Sequence, residues 1–341
     1  MLNNYRSFYL LSTLILALVI NTLFVINSIA TENNNNIYLY PVEDKGKWGY
    51  INSKGVTVID PSYDAAYKFS EGLGLVKIDN RWGYVNKSGV IVIKPVFDEA
   101  HQFANGFAHI KINDKYGFIN NLGELVIEPA YEEVLHFSEG VASIKTEDLW
   151  GYIDTSGNTL IPPRFDLAHI FSNGRALVLY EGKSGYINKE GEFAINPVFD
   201  VAQGFSEGLA KVVFEGHIAY IDTFGNMVLV PHSEDARHFS EKYAAITYRG
   251  KQGFINRKGK VVIKPKFDKV GDFHEGYAAV RYNGKWGYIN KEGKILISLN
   301  YKTALPFNGE LALVEFDDDT WGYINKEGLV VWKSAVSQKI S

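Results

Sequence analysis

The chain has 341 residues, a net charge of −4, 22% charged residues and 46% apolar ones, which fits a folded chain better than a disordered one. It has no cysteine, so disulfides, thiol catalysis and Cys-ligated metal are excluded. Its mild acidity, deepened by one unit if Arg6 is lost with a leader, argues against nucleic acid or an anionic membrane surface as the main partner.

Residues 1–30 read as an export signal. Arg6 is their single charged side chain, an apolar stretch runs from Phe8 to Ile26, and Ser28-Ile29-Ala30 places small residues ahead of a cut before Thr31. The stretch nearly spans a bilayer, so an uncleaved anchor is the alternative, weakened by Ser12, Thr13, Asn21 and Thr22 inside it. Residues 31–36 form an Asn-rich spacer, and 333–341 a C-terminal tail. The expected location is periplasmic or extracellular, with membrane contact only through a retained signal.

From residue 37 to 332 one unit of about 34 residues recurs nine times. A reference glycine stands at Gly49, Gly83, Gly117, Gly151, Gly185, Gly253, Gly287 and Gly322, with Ala219 in its place once. The next residue is always aromatic, from Tyr50 to Tyr323, and Ile or Val then Asn or Asp follow. A second glycine, such as Gly55 or Gly293, completes Asn-x-x-Gly, which predicts a type I turn and a bulged hairpin. A second strand follows, for example Val90-Ile91-Val92-Ile93; its successive apolar residues predict cover on both faces, and proline (Pro61, Pro95, Pro129, Pro163, Pro197, Pro231, Pro265) is expected to end it.

The connector reads Phe-Asp-x-Ala-x-x-Phe, as at Asp98, Ala100 and Phe103. It predicts one helical turn capped by the acid, with its last Phe as the core plug of each unit. A third strand pairs an invariant Gly or Ala (Gly74, Ala108, Ala142) with Val or Ile two residues on, and the small residue implies close approach by that Phe. Asn283-Gly284 and its equivalents predict two-residue hairpins. Each unit is then a three-stranded antiparallel meander too small to fold alone, because ordering a residue costs about 1–2 kcal/mol, and stability comes from stacking on neighbours. Nine blades of three strands would be unusual for a propeller, and whole units at both ends leave no strand to close a ring. The expectation is therefore all-β, an open β superhelix or solenoid, with a closed propeller-like ring as the alternative.

The motif Lys285-Trp286-Gly287-Tyr288-Ile289-Asn290-Lys291-Glu292-Gly293, with Val262-Ile263-Lys264-Pro265-Lys266-Phe267-Asp268, resembles the WG-repeat (KWG) family over residues 37–332. The departures are Ala219, Ser233 and Leu299. The resemblance implies a bacterial β-repeat protein, often exported, with no established catalytic role and no catalytic residues to carry over.

Trp48, Trp82, Trp150, Trp286 and Trp321 precede the reference glycine and share a strand face with the next aromatic. If exposed they form an aromatic ladder suited to sugar faces; otherwise they pack between units. His101, His136, His169 and His238 fall at irregular positions, which argues against a metal site, and no cofactor is expected. The recurring acids Asp64, Asp98, Glu132, Asp166, Asp200, Glu234 and Asp268 read as caps, with no special pair for acid–base work. Gly182-Lys183-Ser184 lacks the rest of a phosphate loop. The expected function is a non-catalytic binding scaffold for a protein partner at the cell envelope or exterior. The alternatives are a glycan binder using the aromatic ladder and an enzyme with an unrecognised site.

Overall fold

The computed structural model describes residues 38–335; the expected export signal over 1–30, the expected spacer and the end of the expected tail lie outside them. Leu39–Ala335 is all-β, with no helix among the described residues. Blade 1 is three antiparallel strands in the order β1 (Tyr40–Asp44), β2 (Lys47–Ile51), β3 (Thr57–Tyr63). Blade 2 has four: β4 (Ala65–Ser70), β5 (Leu73–Ile78), β6 (Arg81–Val85) and β7 (Ile91–Phe97). Seven further four-stranded sheets repeat this order, blade 9 ending with Trp321–Asn325 and Val330–Lys333.

The fourth strand is the connector, and here the expected helical turn is wrong. The chain stays extended: the Asp98 N–H donates to the Lys111 carbonyl at 3.0 Å, and Glu99 and Ala100 pair with Lys111 and Ile110. A free strand edge offers ladder bonds at once, whereas an isolated helical turn carries the full cost of nucleation. The acid caps no helix. Asp98 accepts from the Asn113 N–H in the next hairpin turn at 2.9 Å and pairs with Arg81 of the preceding blade. Lys47–Asp64 and Lys251–Asp268, at 2.6 and 2.7 Å, repeat that tie, so the basic residue before Trp-Gly meets the acid of the following unit.

The last strand of each sheet corrects two further expectations. In β7 only Ile93 and Phe97 are buried, while Ile91, Val92 and Val96 are exposed, so one face is covered and not both. Proline does not end the strand: Pro61 and Pro95 lie inside β3 and β7. A sheet edge tolerates proline, because an unpaired edge needs no donor there. Opposite it the ladder bulges, with Trp82 facing Phe97 and Tyr84 facing Ile93. A Cβ on Gly83 would stand 2.7 Å from both the Ile93 oxygen and the Pro95 nitrogen, which explains the reference glycine sterically. Where Ala219 replaces it, the edge strand shrinks to Met227–Leu229, the shortest last strand of the nine.

Other expectations hold. Asn52 Oδ1 accepts from the Lys54 and Val56 N–H groups at 2.9 and 3.1 Å, and Gly55 takes φ +79°. The connector Phe is the plug: Phe137, Phe171, Phe239 and Phe307 are fully buried, and a Cβ on Gly74 would lie 2.8 Å from the Phe69 ring. Each plug also meets the Tyr or Phe of the preceding blade, as in Tyr50–Phe69 at 4.8 Å and Tyr84–Phe103 at 4.9 Å between ring centres.

Stacking does not run open-ended. The sheets close into a nine-bladed β-propeller, correcting the expected superhelix. The closing device is Tyr40. It stands in the repeat position that holds Gly or Ala elsewhere, and its ring is fully buried. It packs at 5.3 Å on Tyr323 of blade 9, donates to the Asn308 carbonyl at 2.9 Å and accepts from the Glu310 N–H at 3.0 Å. Tyr323 in turn donates to the Pro41 carbonyl at 3.0 Å.

Candidate functional site

The five tryptophans occupy equivalent strand positions but do not form one ladder. Trp150 is buried; Trp48, Trp82 and Trp286 are half-buried, each against the core of its own seam; Trp321 is exposed at 38%. Trp82 lies 5.7 Å from the Tyr67 ring, with the Lys77 ammonium 5.5 Å above it. The sequence reading put each of them on a strand face with the aromatic that follows. The ring closure then added what it did not anticipate: Trp48 and Trp321, 273 positions apart, come together with Trp332.

Those three line a cavity of about 650 Å³ between blades 1 and 9, with Val42, Tyr67 and Leu313. The walls are mostly apolar, and Glu43 and Lys68 stand at its edge. Two features of the sequence mark the place: the tryptophan at 332, where sibling units carry Ile or Leu, and residues 31–36, which lack the Phe-Asp-x-Ala-x-x-Phe motif that precedes the other units.

The histidines are dispersed. The His101 and His109 rings stack at 3.8 Å between blade-3 strands, and His238 faces Asp272 of the next blade at 3.5 Å. Burial pushes the His109 imidazole down to about 3, helped by His101 and His136. His109 Nδ1 has no hydrogen-bond partner among the described residues, and no group of three or more His, Asp or Glu positioned for a metal occurs there. Asp64, Asp98, Asp200 and Asp268 pair with bases, and Glu132 and Glu234 accept from turn N–H groups; Lys47 beside Asp64 and Lys251 beside Asp268 hold those carboxyls below the usual range.

A family profile described as WG containing repeat matches eight times, at residues 48–82, 82–116, 116–150, 150–183, 185–216, 219–251, 253–286 and 286–318. The chain belongs to the WG-containing repeat family. In this WG-repeat chain the profile boundary falls on the tryptophan position or on the residue after it, whereas the blade boundary falls at the connector acid, such as Asp64, 16 residues after Trp48. Among solved structures, a eukaryotic initiation factor is similar with TM-score 0.63 and 12% identity, over 87% of this chain and 96% of that one. The computationally designed Ika8 protein is similar with TM-score 0.48 and 12% identity, over 86% and 98%. At this identity the likeness to the initiation factor is one of fold alone. No curated protein matches.

Proposed function

We propose that this WG-repeat propeller is an exported, non-catalytic scaffold that binds a protein partner at the cell envelope or exterior. The observation that supports it is the apolar belt: every blade ends in an edge strand that exposes at least one large aliphatic side chain. Val58, Val92, Val126, Leu160, Val261 and Leu296 are examples, between 37% and 44% exposed. Such repeated apolar surface suits a partner that touches several blades at once. The export reading rests on residues 1–30 and is checked by the mass of the protein recovered outside the cytoplasm, which is expected to begin at Thr31. For binding, the mature chain is used to capture proteins from envelope extracts. The triple variant Val92→Lys, Val126→Lys, Leu296→Lys is expected to lose at least tenfold of the captured partner while keeping its fold. Equal capture would remove the belt from consideration.

A second reading, a surface glycan, is favoured by the seam cavity, where Trp48, Trp321 and Trp332 offer stacking surfaces. Wall or surface polysaccharide is then expected to quench tryptophan fluorescence, and Trp321→Ala to abolish that quenching.

A further inference from the structure

The repeat supplies its own controls, and blade 7 departs from them at one end. Its strands are Asp235–Ser240, Tyr243–Tyr248, Lys251–Asn256 and Val261–Phe267. Because they are antiparallel, the turn between the first two and the turn between the last two lie at the same end. The first turn carries Lys242 where siblings hold Gly72, Gly106, Gly140, Gly174, Gly208 and Gly276. Lys242 takes φ +73°, a left-handed backbone that glycine enters freely and lysine does not. The second turn carries Arg257-Lys258, and no sibling turn places two bases together.

Elsewhere the base of that second turn is neutralised. Lys189 pairs with Glu139 of the preceding blade at 3.6 Å, Lys291 with Glu241 at 3.1 Å and Lys326 with Glu275 at 3.3 Å. Arg257 holds the same repeat position, yet it makes no ion pair with Glu207. Lys242 and Lys258 also lack an ion pair among the described residues. With Lys291 these three line a groove of about 930 Å³ that includes Glu207, Glu241 and Tyr243, so four bases meet two acids. One unit further round the ring, the matching positions hold Lys291 and Lys326 against Glu241, Glu275 and Glu292. One unit back, Arg257 stands against Glu207 and Asp222. The groove is therefore positive at blade 7 and negative on either side, on a chain of net charge −4.

We infer that this groove binds an acidic peptide segment of a protein partner. Arg257 offers a planar fork that takes a carboxylate through two N–H groups, and Lys242 and Lys258 add charge on its flanks. Tyr243 adds ring surface beside them. Glu207 and Glu241 decide between anionic partners. A nucleic acid or a polyphosphate repeats its charge at every unit and is repelled by these carboxylates. A peptide spaces its acids and turns backbone N–H groups toward them. The left-handed Lys242 brings a base to the groove at the cost of a strain that the sibling turns do without.

The test uses the full chain and a short fluorescein-labelled peptide of alternating Glu and Ala, read by anisotropy beside the same peptide with Gln for Glu. The Glu peptide is expected to bind, to weaken as salt rises, and to resist displacement by inorganic polyphosphate of equal charge. Arg257→Thr with Lys258→Ser, the residues of the sibling turn Thr155-Ser156, is expected to weaken binding about tenfold at an unchanged thermal midpoint. Lys242→Gly, which restores the sibling turn, is expected to weaken it about threefold without lowering the midpoint. Lys189→Ser, in a groove whose base is paired, is expected to leave binding unchanged. Equal binding of the Gln peptide, full affinity in both blade-7 variants, or displacement by polyphosphate each overturns the inference. The inference rests on reading the chain as a protein scaffold. The peptide is measured without the belt's partner, so its failure leaves capture through Val92, Val126 and Leu296 standing, and failed capture leaves the groove standing.

Discussion

Gly83 and its equivalents are small because a bulged proline-containing strand crosses them. Adding one methyl in Gly83→Ala drives it toward the Ile93 oxygen and Pro95 nitrogen, both 2.7 Å from its Cβ position. Overpacking of this kind costs about 1–3 kcal/mol. The expected outcome is a lower thermal midpoint with faster hydrogen exchange confined to Ile91–Phe97, reproducing the short edge strand that accompanies Ala219. His109 gives a pH dependence. Unfolded, its imidazole takes a proton near pH 6.5; folded, burial defers this to about pH 3. Below 6.5 the unfolded chain therefore binds the extra proton, and stability falls as pH drops toward 3, by at most about 1.4 kcal/mol per unit. His109→Leu, the residue at the sibling positions Leu75 and Leu177, is expected to flatten that slope in denaturant titrations between pH 7 and pH 4.

At the level of the strand, the exposed Lys–Asp ties recur widely but contribute little energy. Lys47 and Asp64 are 51% and 36% exposed, and water and salt screen such pairs. The Asn turn contributes more: Asn290 Oδ1 accepts from the Glu292 and Lys294 N–H groups at 3.2 and 2.9 Å, so Asn290→Ala is expected to lose about 1–2 kcal/mol in denaturant unfolding. The edge strands hold the aggregation risk, and proline blunts it. Pro95→Val restores a donor on an edge that already exposes Ile91 and Val92. Light scattering of that variant is expected to rise with concentration while the wild type stays monodisperse.

For the whole ring, the seam is the point of failure. The ring hydroxyls of Tyr50, Tyr84, Tyr186 and Tyr288 each donate across a blade boundary at 2.6–2.7 Å to a connector carbonyl, so most boundaries carry repeated ties. The seam adds Tyr40 to the Tyr323–Pro41 tie, and burial pushes the Tyr40 hydroxyl up to about 12. Tyr40→Ala removes a fully buried ring and is expected to cost about 3–5 kcal/mol. Tyr40→Phe, leaving the Asn308 carbonyl and Glu310 N–H without their partner, is expected to cost about 1–3 kcal/mol. In both, exchange of Tyr40–Asp44 rises ahead of the other blades, and small-angle scattering of Tyr40→Ala shows an expanded particle at temperatures where the wild type remains compact.

The sequence by itself determined the all-β unit, its period, its turns, the plug and the small residue beneath it, because each is set by contacts within about 34 neighbouring residues. It misassigned the connector, since whether a short polar-capped segment coils or extends depends on whether an unpaired edge lies beside it. Only the tertiary structure decided closure and the joining of Trp48 with Trp321. A small angular increment between sheets leaves no mark on any one repeat; summed over nine steps it decides whether the last blade meets the first. The trace it did leave, Tyr40 where every sibling unit has Gly or Ala, acquires its meaning only beside Tyr323, on the far side of the chain and across the seam.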